Sequence, residues 1–342
     1  MKLLVLGGTR FLGRHIVDAA LAHGDNVTVF TRGRQPDHWN GAVQMLTGNR
    51  DPAIAPGLAA LEPGEWDAVI DTSGYVPRIV RASAALLAPR VGRYLFVSSI
   101  SVYTDASRPG LDETAPAGVL EDPASEEVGK YYGPLKFACE TAVSEIYGAR
   151  ALHVRPGLIV GPHDPTDRFG YWVARFVHPQ LLGDRASEAI VPLPQARPLQ
   201  FIDARDLAAF MLGLLAQEAS GTFLATSPAG QWTFADLVQA LAAAGGGGAP
   251  RPAWTAEAAL LEHKVAPWSG LPLWIPTTFA DEAGFMEFDC GKAQRAGLRT
   301  RPLAATIADT ATWLMQRDNA GAWKDVLTAD AERALLAGAS TA

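Results

Sequence analysis

The chain has 342 residues, of which 48% are hydrophobic and 19% charged, and its formal net charge is −7. Such a composition excludes a disordered chain, whose apolar content is too low to offset the entropy of ordering, and the length suffices for one α/β unit with a second lobe or for two modest domains. The negative overall field repels nucleic acid and anionic membrane surfaces, so neither is an expected partner.

Leu3-Leu4-Val5-Leu6 stops after four residues at Gly7-Gly8, too short for the apolar core of a secretory signal, and reads as a strand. Further short aliphatic and β-branched runs follow at residues 27–31, 43–46, 67–71, 94–98 and 151–155, alternating with helical patterns. That alternation predicts an α/β fold with a doubly wound, parallel Rossmann sheet. Leu12, Ile16, Ala19 and Ala20 fall on one face of the first helix, as packing on such a sheet requires. Beyond about residue 156 the pattern is less regular, with proline and tryptophan concentrated in 250–276.

The expected organisation is a nucleotide-binding Rossmann domain over residues 1–160, rejoined by 198–226 through a strand at 201–203 and a helix from about Arg205. Residues 161–197 and 227–342 then form a smaller α+β substrate-binding lobe. The glycine run 245–248 has no strand before it and no Lys-Ser/Thr after it, and reads as a flexible connector rather than a phosphate loop. The apolar stretch 207–216 is too short to span a bilayer. Cys139 and Cys290 make neither a disulfide framework nor a C-x-x-C metal motif, which points to a reducing, cytoplasmic setting.

The strand at residues 2–6 runs into the glycine turn Gly7-Gly8-Thr9-Arg10-Phe11-Leu12-Gly13 and then a helix. Gly7 permits the tight turn, Gly13 permits close packing of helix on sheet, and the free N–H groups of the helix start suit a pyrophosphate. Gly7, Thr9, Arg10, Phe11, Leu12 and Gly13 are therefore expected at a dinucleotide. At the end of the second strand, where a carboxylate would hold the adenosine ribose and repel a 2′-phosphate, stands Thr31, followed by Arg32-Gly33-Arg34. Forked guanidinium hydrogen bonds from Arg10, Arg32 and Arg34 suit a 2′-phosphate, which favours NADP(H); a solvated basic loop accepting NAD is the alternative.

Tyr132-Gly133-Pro134-Leu135-Lys136 places a phenol and an ammonium four residues apart, on one face of a helix. A phenol is a weak base at neutral pH, and a nearby ammonium and an oxidised nicotinamide both favour its anion, so Tyr132 can exchange a proton with an alcohol or carbonyl as hydride moves. Pro134 is tolerated only in a first turn, so the helix is expected to begin between Tyr131 and Pro134, with Leu135, Ala138, Ala142 and Ile146 as its buried stripe.

These motifs together resemble the extended, atypical short-chain dehydrogenases/reductases of the NAD(P)-dependent epimerase/dehydratase family. Arg10 stands where the middle glycine of that family's turn usually lies. Gly-Gly-Thr-Arg-Phe-Leu-Gly resembles the variant in relatives of chloroplast stem-loop-binding proteins. The resemblance implies that Ser99, in Ser98-Ser99-Ile100-Ser101-Val102-Tyr103, is the hydroxyl that binds the substrate oxygen beside Tyr132 and Lys136, with Ser101 a second substrate contact. It implies cofactor contacts at Asn49, through its amide unless the residue merely makes an Asx turn, at Thr72, Ser73 and Gly74 after the fourth strand, and at Pro156, Gly157 and Leu158.

Ile100 and Ser101 occupy the positions of the Asp-Glu pair of the family's dehydratases, which disfavours dehydration. The asparagine that many sugar epimerases carry after the sixth strand is missing from 155–162. His163, Asp164, Asp167 and Arg168 read as a turn rather than a metal site, with His163 and Arg168 either substrate contacts or solvated. Arg197 matches the family's diphosphate-binding arginine, or else makes a surface ion pair. Trp172, Trp254, Trp268 and Trp274 line a pocket or pack the lobe. Asp289, Lys292, Gly297 and Pro302 resemble the family's closing segment.

The expected function is an NADP(H)-dependent oxidoreductase acting on a small carbonyl, secondary alcohol or sugar, without metal, and as a homodimer if it follows the family. A nucleotide-sugar epimerase is the first alternative, and a non-catalytic nucleotide- or RNA-binding protein on the same scaffold the second.

Overall fold

Strand β1 (Lys2–Leu6) is inaccessible to solvent from Leu3 to Leu6, which is why its sequence is a continuous apolar run rather than an alternating one. It sits inside a parallel sheet of a computed structural model that describes residues 1–319, 323 and 325–339. After β1 come α1 (Phe11–Ala22), β2 (Asn26–Thr31), β3 (Gln44–Thr47), β4 (Trp66–Asp71), α2 (Pro77–Leu87), β5 (Val91–Val97), α3 (Val128–Tyr147) and β6 (Ala151–Pro156). The second half holds β7 (Leu158–Val160), α4 (Arg168–Val177), β8 (Glu188–Pro192), β9 (Pro198–Leu199), β10 (Phe201–Asp203), α5 (Ala204–Ala216), β11 (Gly221–Ala225), β12 (Trp232–Thr233) and α6 (Phe234–Gly245). It closes with β13 (Arg251–Thr255), α7 (Glu257–Glu262), α8 (Gly291–Arg295), α9 (Leu303–Gln316) and α10 (Ala329–Ala339).

The main sheet has seven strands in the order β11-β6-β5-β4-β1-β2-β3, every neighbour parallel. This is the doubly wound Rossmann arrangement expected from the sequence. The chain leaves β1 for β2 on one side and returns to β4 on the other, so the crevice at the carboxyl ends of β1 and β4 is the switch point at which such sheets bind ligands. One face is covered by α1 and α5, whose Ile16, Val17, Leu207 and Met211 share a core with Val5 and Ile70. The other face is covered by α2 and α3, through Val80, Leu87, Cys139, Val143 and Tyr147. On α3 the inaccessible positions thus include Cys139 and Val143, while Ala138 and Ile146 are only half-buried.

Residues 201–203 do not enter the seven-stranded sheet: β10 pairs with β7 as a separate parallel ribbon, and only β11 extends the sheet. A separate core of the second half contains Trp172, Phe176, Phe201, Phe234 and Trp274. Trp172 and Trp274 therefore pack this half rather than line a pocket. The glycines at 245–248 connect α6 to β13, and the first two of them also end the helix. Gly245 ends α6, where a Cβ would lie 2.1 Å from the Phe176 carbonyl oxygen, and Gly246 follows at φ 57 as the helix stop.

Neither cysteine is bonded, and both are buried. Among the described residues no helix is long and apolar enough to cross a membrane.

Helix α10 is tied in by a buried cluster in which Glu332 pairs with Arg175 at 3.0 Å and Arg185 at 3.3 Å and also accepts from the Ile190 N–H at 3.4 Å. Removing the carboxylate strands two buried guanidinium groups. Glu332→Ala is expected to lower the unfolding free energy by about 3–5 kcal/mol, whereas Glu145→Ala, which breaks the solvent-exposed pair with Arg81, changes it by less than about 1 kcal/mol. Urea denaturation of the two variants measures the difference, and equal effects would show that the Glu332 cluster does not anchor the helix.

Candidate active site

A single cavity of about 1140 Å³ runs along the carboxyl edge of the sheet into the second half of the chain. That is larger than a pocket for one small ligand and fits a dinucleotide with a substrate beside it. At the β1–α1 turn Gly7 lies at φ 115, where a Cβ would fall 2.3 Å from Thr72 Oγ1, and a Cβ on Gly13 would fall 2.8 Å from Gly8 Cα. Arg10 is extended at the cap position of α1 and no side chain caps the helix. Phe11 takes the left-handed conformation, φ 36, that glycine would hold more cheaply. An uncapped helix start beside a turn with no room for a Cβ fits a pyrophosphate. Thr9, Arg10, Phe11, Leu12 and Gly13 line the cavity with Gly7, as do Thr72 and Ser73.

Arg32 and Arg34 line the same end. Like Arg10 they are exposed and make no ion pair with any described residue, so their guanidinium groups are free for an anion. Asn49 also lines the cavity, but its Oδ1 accepts the Asp51 N–H at 3.0 Å, the Asx turn that its position allowed. Beside it the structure adds Arg50, which the sequence reading passed over. Arg50 donates both terminal nitrogens to Asp71 at 2.5 and 2.8 Å and reaches Ser73 and Ser83 at 3.1 and 2.8 Å, while Tyr94 donates to the same carboxylate at 2.8 Å. The signal for it was Asp71 itself: a buried carboxylate at the end of an apolar run requires a cation or hydrogen-bond donors nearby.

At the end of β5, Ser99 caps a short 3₁₀ turn at Ile100–Val102: its Oγ accepts the Ser101 N–H at 3.0 Å and donates to Ser101 Oγ at 3.1 Å. Helix α3 approaches this turn. One helical turn from Val128 is interrupted at Tyr131 (φ −119, ψ 34), and the helix restarts at Tyr132, so Pro134 sits in a first turn where its missing N–H is not needed. Gly133 touches the neighbouring backbone so closely that a Cβ would fall 1.8 Å from the Ser101 carbonyl oxygen. That contact brings the Tyr132 phenol to the side of the cavity lined by Ser99.

Lys136 points inward, donating to the Gly74 carbonyl at 2.8 Å and the Val97 carbonyl at 2.6 Å, and burial pushes its pKa down to about 8. The phenol does not become more acidic. Burial, with the neighbouring Tyr75, raises the Tyr132 pKa, while Ser99 and the charge of Arg168 pull it back. Tyr132 therefore holds its proton at neutral pH and is set up as a proton donor.

Ser101, Pro156, Gly157, Leu158 and Arg168 line the cavity, and Gly74 lies behind it as the Lys136 acceptor. Two expected residues lie elsewhere. His163 packs its ring against His15 and Trp313 at 5.7 and 5.5 Å, and burial pushes its pKa down to about 4. Arg197 is held by Glu257 at 2.9 Å and by the carbonyls of Leu193 and Ile275, so it offers no diphosphate contact at the cavity. Asp164 accepts from Thr166, and Asp167 pairs with Arg317 at 2.6 Å, completing a turn that delivers Arg168 to the start of α4. Trp254 is not among the lining residues; Trp268 and Phe285 are.

The model of the NAD dependent epimerase/dehydratase family matches residues 3–224. Over 269 residues, 72% of the chain, the sequence is 28% identical to the chloroplast stem-loop binding protein of 41 kDa b from Arabidopsis thaliana, and the chain spans 63% of that relative's length. UDP-N-acetylglucosamine 4-epimerase from Bacillus cereus shares the fold with a TM-score of 0.65 at 18% identity, covering 93% of this chain and 98% of its own. The Bordetella bronchiseptica enzyme WbmG in complex with NAD shares it with a TM-score of 0.66 at 15% identity, covering 93% and 95%. With the glycine turn, the Ser99 strand end and the Tyr132–Lys136 helix all inside the matched stretch, the chain belongs to the NAD dependent epimerase/dehydratase family.

Proposed function

We propose that the protein is an NADP(H)-dependent reductase of the short-chain dehydrogenase/reductase type, acting on a carbonyl and, in reverse, on a secondary alcohol. The observation that carries this reading is the placement of Tyr132 and Ser99 at one end of a cavity whose other end presents free guanidinium groups. Residues 1–160 and 198–226 hold the cofactor and 161–197 with 227–342 the substrate; this last span includes 320–322, 324 and 340–342, which lie outside the described residues.

The nicotinamide, when bound, supplies or accepts the hydride. Arg32 and Arg34 grip the 2′-phosphate, with Arg10 beside them, and the start of α1 holds the pyrophosphate. Ser99 donates a hydrogen bond to the substrate oxygen, and Tyr132 gives that oxygen its proton as the carbonyl carbon is reduced. Lys136 holds the ends of β4 and β5 against α3, which keeps the phenol at the right distance. Nucleotide-sugar epimerisation is the competing reading, favoured by the family match. It is distinguished by the purified protein, since a stoichiometric, non-exchanging NAD would favour it over a reductase whose cofactor leaves each turnover.

Tyr132→Phe is expected to lower kcat by about 10²- to 10⁴-fold while NADPH still binds; activity close to wild type would remove Tyr132 from the proton transfer. Replacing Arg32 and Arg34 by serine should raise KM for NADPH by about 10- to 100-fold and leave NADH nearly unchanged. A matching loss with both cofactors would mean that these arginines do not read the 2′-phosphate. Donation needs the protonated phenol, whose pKa is raised, so kcat for reduction is flat through neutral pH and the first descending limb expected is loss of the Lys136 ammonium, near pH 8. A descending limb below neutrality would point to a different acid.

A further inference from the structure

Around Tyr132 the cavity is lined by rings: Tyr75, whose centroid lies 6.3 Å from that of Tyr132, and Trp268 and Phe285. Trp268 and Phe285 meet edge to face at 5.7 Å. The Trp268 backbone is left-handed, φ 63, and is held there by its N–H donating to the Trp274 carbonyl at 3.1 Å. Strain of this kind persists where the surrounding structure over-determines it, and here it turns the indole toward the cavity. Arg168, the first residue of α4, lays its guanidinium over that indole, 5.4 Å from the ring centroid, and pairs with no carboxylate of the described residues. A guanidinium held near a ring by a cation–π contact still has N–H donors to offer an anion.

The charge available at this end is small. Lys136 is committed to two carbonyls, Arg50 to Asp71 and Arg197 to Glu257, and Arg10, Arg32 and Arg34 belong to the turns after β1 and β2. Among the described residues Arg168 is the one unpaired cation beside Tyr132. We propose that the substrate is a flat, aromatic carbonyl compound bearing a single carboxylate, its ring held between Tyr75 and the Trp268–Phe285 pair and its carboxylate forked onto Arg168. One guanidinium matches one carboxylate through two parallel hydrogen bonds, whereas the diphosphate of a nucleotide sugar presents two anionic groups to a wall with one cation. Ring walls suit an aryl body. The inference rests on the reductase reading for its chemistry: hydride from NADPH goes to the carbonyl carbon, the Tyr132 proton goes to the carbonyl oxygen, and the products are the aryl hydroxy acid and NADP⁺.

The test uses the full chain saturated with NADP⁺, which cannot reduce the ligand, so binding is read apart from turnover. Benzoylformate and phenylpyruvate, their methyl esters and UDP-glucose are titrated calorimetrically. The acids should bind about 10- to 100-fold more tightly than their esters, and Arg168→Gln should abolish that difference without changing ester affinity or melting temperature. Arg168→Lys, which keeps the charge and loses the fork and the stack, should restore only part of it. Equal affinity for acid and ester, an acid preference that survives Arg168→Gln, or tighter binding of UDP-glucose than of either acid would overturn the proposal. Arg168-dependent binding of the acids without any NADPH consumption would leave the carboxylate slot standing and remove the reductase reading. NADPH-dependent reduction of the acids and their esters with equal kcat/KM, unchanged by Arg168→Gln, would do the reverse.

Discussion

The buried ammonium of Lys136 is the point on which the reactive end of the cavity depends. From α3 it bonds the carbonyl of Gly74, beyond β4, and that of Val97, at the end of β5, so two sheet strands and a helix share one cation. Taking an ammonium out of water costs free energy, visible in its depressed pKa, and the nearby Asp71 charge offsets part of that cost. In return the start of α3 has a fixed position relative to the sheet edge. Only with that position fixed can Gly133 lie against the Ser101 carbonyl and Tyr132 beside Ser99.

The cofactor end rests on a different device, local backbone geometry. Gly7 and Gly13 remove side chains where the β1–α1 turn folds back on itself, and Phe11 accepts a left-handed conformation to start the helix. The opposite ends of one cavity are thus built by unlike means: one by a long-range hydrogen-bonded charge, the other by steric vacancy within a dozen residues. This difference governs what the sequence discloses. The turn is legible because all its determinants are adjacent in the chain, and the phenol and ammonium of α3 because a spacing of four is a helical face. Strand β1 is legible because burial on both faces leaves an uninterrupted apolar run.

What the sequence conceals are pairings between distant segments. Arg197 has the local context of a ligand-binding arginine, and its fate is decided by Glu257, 60 residues on. His163 sits in a polar turn that reads as solvent-exposed or substrate-facing, yet His15 and Trp313 enclose its ring. The glycines after α6 look like a linker because nothing in their composition announces the Phe176 carbonyl against which Gly245 packs. In each case the residue type was informative about what it can do, and the partner that chose among those roles lies in another element. Trp268 makes the same point in the other direction, since four tryptophans of similar context divide between core and cavity.

The Arg50–Asp71 pair bears on how a nucleotide meets this surface. It fastens the loop after β3 to the end of β4, and Ser73, Ser83 and Tyr94 add hydrogen bonds from two further elements. This side of the cleft is therefore cross-linked by side chains before any ligand is bound. A ligand arriving there has little chain to immobilise, so the entropy of ordering that opposes association at a floppy loop is largely absent. Encounter is then governed by diffusion and by the field of the exposed arginines rather than by slow rearrangement of the protein, and that field makes the association rate sensitive to ionic strength.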